Sequence, residues 1–165
     1  RIDRNQFTHN ELSRWGIANS LHVVSMAHSV IGLPAIWEGY ISGKSVEWHP
    51  TGSIFVGSGF SNDNIPFVFH ADWGSKGRWS VEFRTSERAY LLCPLEQLFC
   101  KMSSTGDWEE IEIDAFDASV KTGIAEELSA ILDSRLNNDI PLVSLRSACE
   151  LTKFGERVFG YHSLD

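Results

Sequence analysis

The sequence predicts an α+β fold: one open, mainly antiparallel or mixed sheet of about six to eight strands with helices packed on one face. Three observations predict it. Apolar residues recur at helical spacing from Ile17 to Met26, the centre from Ala35 to Ile113 breaks into short aromatic and β-branched segments, and helical spacing returns after Val120. Helices gathered at the two ends of a strand-rich centre point to α+β, whereas regular alternation would point to βαβ units.

At the N-terminal end, Thr8, His9 and Asn10 offer caps ahead of Glu11, and Ile17, Leu21, Val24 and Ala27 or Met26 mark one helix face. Gly32-Leu33-Pro34 closes that helix with a C-cap glycine and a proline two residues beyond. The strand segments read as Ala35–Ser42, Ser53–Phe60, Pro66–Trp73, Arg78–Thr85, Ala89–Cys93, Gln97–Ser103 and Trp108–Ile113. Turn-formers such as Ser42-Gly43, Asn62-Asp63-Asn64 and Gly74-Ser75-Lys76-Gly77 separate them. Connections this short make antiparallel neighbours, because a parallel crossover needs a dozen or more residues. In Arg78–Thr85, Trp79, Val81 and Phe83 point one way and Arg78, Ser80, Glu82 and Arg84 the other, so one sheet face meets a core. Val120, Ile124, Leu128 and Ile131 mark a later helix ended by Asn137-Asn138-Asp139. Ser144 then caps a last helix through Ala148, Leu151 and Val158 to Gly160.

The chain of 165 residues is expected to form a single domain, residues 1–165, with no linker-like stretch dividing it. Its N-terminus, without an initiator Met or a signal-peptide core, reads as a piece excised from a longer, cytoplasmic protein. Fourteen basic against 22 acidic residues give a net charge of −8, which offers no electrostatic support for nucleic-acid or anionic-membrane binding. Cys93, Cys100 and Cys149 are odd in number, lack metal-like spacing and sit in apolar stretches, so reduced, buried thiols are expected. Six Trp and ten Phe are many for this length, and such rings gather in a core or along a carbohydrate or subunit interface.

Candidate chemistry is sparse. Gly57-Ser58-Gly59-Phe60-Ser61-Asn62 faintly resembles a dinucleotide fingerprint, but it lacks the third glycine and the following helix, so close strand packing or a turn is expected there. His22 and His28, six apart, fall on different helix faces, and His70 with Asp72 shares a strand face without a third ligand, so no metal is expected. His22, in Asn19-Ser20-Leu21-His22-Val23-Val24, fits either a satisfied core histidine or a proton donor at a cleft. Spacing alone favours the core, while Asn19 three residues earlier adds weight to the cleft. His70-Ala71-Asp72-Trp73 with Gly77-Arg78-Trp79 is the densest polar–aromatic cluster. It can stack on and hydrogen-bond a sugar ring, or form a strand-end ion pair shielded by indoles. Trp48-His49-Pro50 reads as a pre-proline loop anchor.

Taken in order, these segments resemble the C-terminal domain of the glucose–fructose oxidoreductase / inositol dehydrogenase family of NAD(P)-dependent oxidoreductases. The resemblance is carried by Asn19 to Val24 with Ile31-Gly32-Leu33-Pro34, and by Trp48-His49-Pro50 with Phe55-Val56-Gly57-Ser58-Gly59. It continues through Phe67 to Trp73, Gly77 to Glu82, Cys93 to Leu98, Lys121-Thr122-Gly123 and Phe159-Gly160-Tyr161. It implies an open sheet forming a sugar-binding wall and an oligomer interface, beside an N-terminal Rossmann domain that binds NAD or NADP and supplies a lysine. No cofactor is expected on this chain alone, and the isolated chain is not expected to turn over substrate.

The implied substrate is a sugar or sugar-nucleotide hydroxyl or ketone, of the kind found in polysaccharide biosynthesis, and the implied partners are the Rossmann domain and further copies of the chain. The resemblance places His22 at the reacting hydroxyl, with Asn19 beside it and His70, Trp73 and Arg78 as substrate-wall residues. Two positions depart from the family pattern: Ala18 and Ser25 stand where acidic residues often flank that His. With Ala18 and Ser25 at those positions, His22 is as suited to hydrogen-bonding the hydroxyl as to acid–base work. A non-catalytic dimerisation module and a stand-alone α+β binding protein are the alternatives.

Overall fold

A computed structural model of the chain describes residues 4–112, 123–133 and 142–161. Two compact units divide it, one drawn from residues 1–77 and 144–165 and the other from 78–143, and each has its own sheet.

The first unit opens with a 3-10 turn at Arg4–Gln6, followed by α1 (His9–Ser13), α2 (Trp15–Ala18) and α3 (Leu21–Ile31). The helical spacing is present, but the helix is in three pieces. Thr8 is the cap: the Glu11 N–H donates to its hydroxyl at 3.3 Å, and its own N–H donates to the Glu11 carboxylate at 2.7 Å. The breaks fall at Arg14 and at Asn19-Ser20, the latter a pair whose short polar side chains compete with helical backbone bonds. Gly32, at φ +84°, ends α3 as its C-cap, and Pro34 opens the first strand.

Strands β1 (Pro34–Ser42), β2 (Ile54–Ser61) and β3 (Pro66–Asp72) pair antiparallel in that order. Their register sorts side chains into two faces. Trp37 lies beside Gly59 and Phe67, Gly39 beside Gly57 and Phe69, and Ile41 beside Phe55 and Ala71 on the inner face. A Cβ on Gly57 would run into the Phe69 ring and the Glu38 carbonyl, so the glycines of β2 make room for neighbouring rings. The helix α5 (Leu145–Val158), capped by the Ser144 hydroxyl accepting from the Ser147 N–H at 3.1 Å, covers this face. Its Phe154 meets Trp37, His28, Phe69 and Phe67 edge-on, with ring centroids 4.8, 5.4, 6.0 and 6.1 Å away. Phe55, fully buried, packs against Trp73, Phe159 and His49 at the other end of the same core.

On the outer face Ile36 lies beside Phe60 and Pro66, Glu38 beside Ser58 and Val68, and Tyr40 beside Val56 and His70. This face is open: Ile36 is 73%, Tyr40 69% and Val68 84% exposed.

The second unit is a meander of β4 (Val81–Arg84), β5 (Ala89–Leu92), β6 (Leu98–Lys101) and β7 (Glu109–Ile111), followed by α4 (Ile124–Leu132). The α+β class and the seven antiparallel strands are as expected from the sequence, but they form two sheets of three and four strands. No ladder joins β3 to β4 among the described residues. The Asp72 carboxylate accepts the Gly74 N–H at 2.9 Å and turns the chain off β3, and the residues that follow are irregular until Val81. Within the strand Val81 is buried and Phe83 half-buried as the alternation requires, while Trp79 lies ahead of the strand.

In α4 the buried residues are Ala125 and Ala130, while Ile124, Leu128 and Ile131 of the expected apolar stripe are exposed. Val120, Ile113, Lys121, Thr122 and the Asn137-Asn138-Asp139 stop lie outside the described residues. All three cysteines are free thiols, but only Cys100 is buried; Cys93 is half-buried and Cys149 is exposed on α5. Among the described residues no helix is long and apolar enough to cross a membrane.

Candidate functional site

Asn19 and His22 come together at the break between α2 and α3. Asn19 is the C-cap of α2, with φ −134° and ψ −55°, and its N–H still donates to the Trp15 carbonyl at 2.9 Å. The Ser20 N–H shares that carbonyl at 3.3 Å, and the His22 N–H reaches the Asn19 carbonyl at 3.5 Å. A half-buried amide and an exposed imidazole thus sit within one irregular turn, in the first turn of α3 and the residues before it. Such a turn carries an amide and an imidazole, both hydrogen-bonding groups.

The core histidine of α3 is His28, not His22. His28 is buried between Phe67 and Phe154, and its Nδ1 lies 2.7 Å from the Gly32 carbonyl. Burial holds its pKa below the ordinary imidazole value, against the opposing effect of that bond. Spacing favours His22 as the core histidine, but the two fall on different helix faces and it is His28 that β3 and α5 enclose.

The other candidate residues are dispersed. His70 is exposed on the outer face of the three-stranded sheet, while α3 lies against the inner face, so the sheet separates His70 from His22. Trp73 is stacked within the unit on Trp48 and Phe159, at 5.4 and 5.6 Å with interplanar angles of 21°. Arg78 belongs to the second unit. There it lines an open cleft of about 830 Å³ with Glu96, Gln97, Glu110, Ile111 and Glu112. Among the described residues no group of three or more His, Cys, Asp and Glu is placed to hold a metal ion.

A buried polar cluster adjoins α2. His49 is 5% exposed, and its Nδ1–H donates to the Gly52 carbonyl at 3.1 Å. That bond fixes the tautomer, so Nε2 accepts from the Tyr161 hydroxyl at 2.6 Å. The same hydroxyl oxygen accepts the Gly16 N–H at 2.9 Å. Burial pushes the His49 ring down to about 4, against the effect of the Gly52 bond. Burial also pushes Tyr161 up to about 12, opposed by the Gly16 N–H and by the Arg14 guanidinium. Arg14 lies 4.5 Å above the Tyr161 ring and pairs with Glu156 at 2.8 Å. His49 is therefore a loop anchor, as its pre-proline setting indicates. Its partner Tyr161, 112 residues away, carried no signal beyond belonging to the closing Phe159-Gly160-Tyr161.

No protein-family model matches the chain, and no curated protein matches it. Among solved structures the chain is similar to the crystal structure of an oxidoreductase from Bacillus cereus, at 15% sequence identity and a TM-score of 0.50. The match covers 88% of this chain and 50% of that one, so this chain spans about half the length of that structure. At this identity the likeness shows the fold.

The Gly57-Ser58-Gly59 segment does not form a phosphate cradle. Gly57 and Gly59 lie in the middle strand of an antiparallel sheet, under Phe69 and beside Trp37, where a phosphate cradle would need a turn opening a helix.

Proposed function

We propose that this chain is the substrate-side part of an NAD(P)-dependent oxidoreductase of the glucose–fructose oxidoreductase / inositol dehydrogenase type. Its substrate is a sugar or sugar-nucleotide hydroxyl, or the matching ketone. The observation that carries the reading is the pairing of Asn19 and His22 in one open turn, at the place the family resemblance assigns to the reacting hydroxyl. The fold likeness to an oxidoreductase over 88% of the chain supports it.

In this reading His22 holds or moves the hydroxyl proton and the Asn19 amide orients the same oxygen. Arg78 lines its own cleft in the second unit, where a guanidinium and several carboxylates could hydrogen-bond hydroxyl groups. The nicotinamide, which would exchange the hydride, would be held by a separate Rossmann domain.

Nuclear magnetic resonance with a panel of sugar nucleotides tests the reading. The amide and ring signals of Asn19 and His22 are expected to shift with saturation, while calorimetry with NAD⁺ and NADP⁺ gives no binding isotherm. Saturable nicotinamide binding by the chain, or a panel that leaves Asn19 and His22 unmoved, would overturn it. A strand, glycine-rich turn and helix encoded ahead of Arg1 is the further expectation.

A second reading concerns the outer sheet face, where Ile36, Tyr40, Phe60 and Val68 are exposed, with Glu38 and Ser58 in the row of Val68 and His70 in the row of Tyr40. Apolar surface of this kind suits a homo-oligomer contact, with His70 enclosed at the interface. Light scattering is expected to give a dimer or larger, and Val68→Asp to return it to a monomer, since an unpaired carboxylate buried there costs about 3 kcal/mol or more. A wild-type monomer at high concentration refutes this reading.

A further inference from the structure

We propose that Tyr161 and His49 are positioning residues for the Asn19–His22 turn, acting through the single peptide group between Trp15 and Gly16. The role given to that turn rests on the reading above; the linkage itself stands on geometry.

The N-terminus of α2 has no side-chain cap of its own, because Arg14 at the N-cap position makes no such bond. The missing acceptor comes from 145 residues away: the buried Gly16 N–H donates to the Tyr161 hydroxyl at 2.9 Å. That N–H shares one planar peptide with the Trp15 carbonyl. The carbonyl in turn accepts from the Asn19 and Ser20 N–H groups, at 2.9 and 3.3 Å. One rigid group is thus held by Tyr161 at its nitrogen end and holds Asn19 at its oxygen end. His22 follows through its bond to the Asn19 carbonyl.

Tyr161 is itself fixed on three sides. Its N–H donates to the Glu156 carbonyl at 2.7 Å in the last turn of α5, its hydroxyl donates to His49, and Arg14 covers its ring. His49 is held by the Gly52 carbonyl, and Thr51 donates to the Phe159 carbonyl at 2.7 Å from the same loop. Gly16 must be glycine for this approach, because a Cβ there would enter the Phe159 ring. The protons count out in one direction, from Gly16 to Tyr161 to His49 to Gly52, with every polar group in the series satisfied.

The test is Tyr161→Phe in the 165-residue chain, which keeps the ring and removes both hydroxyl bonds. Amide exchange at Gly16, Asn19 and Ser20 is expected to quicken about tenfold relative to the β2 amides, the loss of one net hydrogen bond. The Asn19 and His22 resonances move with it. His49→Gln, whose side-chain carbonyl can still accept the Tyr161 proton, is expected to keep wild-type resonances from Gly16 to His22.

Unchanged exchange and resonances at Asn19 and His22 in Tyr161→Phe, with only a lower melting midpoint, would overturn the proposal, leaving the pair as an anchor for the end of α5. Should Tyr161→Phe not fold, His49→Phe tests the linkage one bond further out: it removes the acceptor of the Tyr161 hydroxyl together with the donor to the Gly52 carbonyl. Quicker exchange at Gly16 and Asn19 is again expected, with unchanged exchange there overturning the proposal. No ligand enters this experiment. A turn that moves here yet ignores sugar nucleotides refutes the functional reading and leaves the linkage standing, and the reverse result does the opposite.

Discussion

Phe154→Ala is expected to destabilise the first unit by about 3–5 kcal/mol and to lower its melting midpoint by roughly 15–25 °C. The effect is large because one ring touches four others drawn from three elements: His28 on α3, Trp37 on β1, and Phe67 and Phe69 on β3. Removing it opens a cavity that rigid aromatic walls cannot close, and cavity volume adds to the lost transfer free energy. It also removes edge-to-face contacts worth about 0.5–1.5 kcal/mol each beyond area burial, which are not additive. Urea unfolding followed by Trp fluorescence measures the change, with Trp37 as a reporter beside the cavity. A loss below about 1 kcal/mol would mean that α5 does not depend on this contact.

Acid should weaken the same unit through His49. Unfolded, its ring takes a proton near pH 6.5; folded, it does so only near pH 4. Between those values the unfolded chain binds more protons, so stability is fully present above pH 6.5 and falls as the pH drops towards 4. At about 1.4 kcal/mol per pH unit the total comes to about 3 kcal/mol. The physical event is the protonation of Nε2, which can then no longer accept the Tyr161 hydroxyl. Buried His28 adds a contribution of the same sign. Denaturant midpoints measured from pH 4 to pH 7, in wild type and in His49→Gln, separate the two histidines. The substituted protein is expected to show a distinctly flatter profile, and equal slopes would assign the acid sensitivity elsewhere.

Much of the fold was legible because it rests on local signals. The Thr8 and Ser144 caps, the Gly32 stop and the alternation of the strands are each encoded within a few residues, and each appears in the structure. What short-range pattern could not give was long-range partnership. Whether seven antiparallel strands make one sheet or two depends on the path after Asp72, and nothing in the strand segments fixes that path.

The same limit governs the site. Asn19 and His22 are three residues apart and were found together, whereas His70, Trp73 and Arg78 looked like one cluster along the chain. Strand alternation sends His70 to the outer face, the Trp48 and Phe159 rings hold Trp73 inside, and Arg78 falls in the second unit. Closeness in sequence was a fair guide along a helical turn and a poor one across the end of a strand. Tyr161 was out of reach altogether, since its bonds to Gly16 and His49 span most of the chain.

The first unit is discontinuous, with residues 144–161 completing a core begun by residues 4–77. During synthesis the three-stranded sheet therefore leaves the ribosome with α3 and the His49 loop against its inner face but without Phe154 and Phe159, which cover Trp37, Phe55, Phe67 and Phe69. It stays so while the whole of the second unit is made. At the usual rate of about 5–20 residues per second, this half-covered aromatic face persists for several seconds, far longer than local structure needs to form. The chain is thus most open to aggregation and to chaperones just before its last helix appears, and a ribosome stalled within the second unit would hold it in that state.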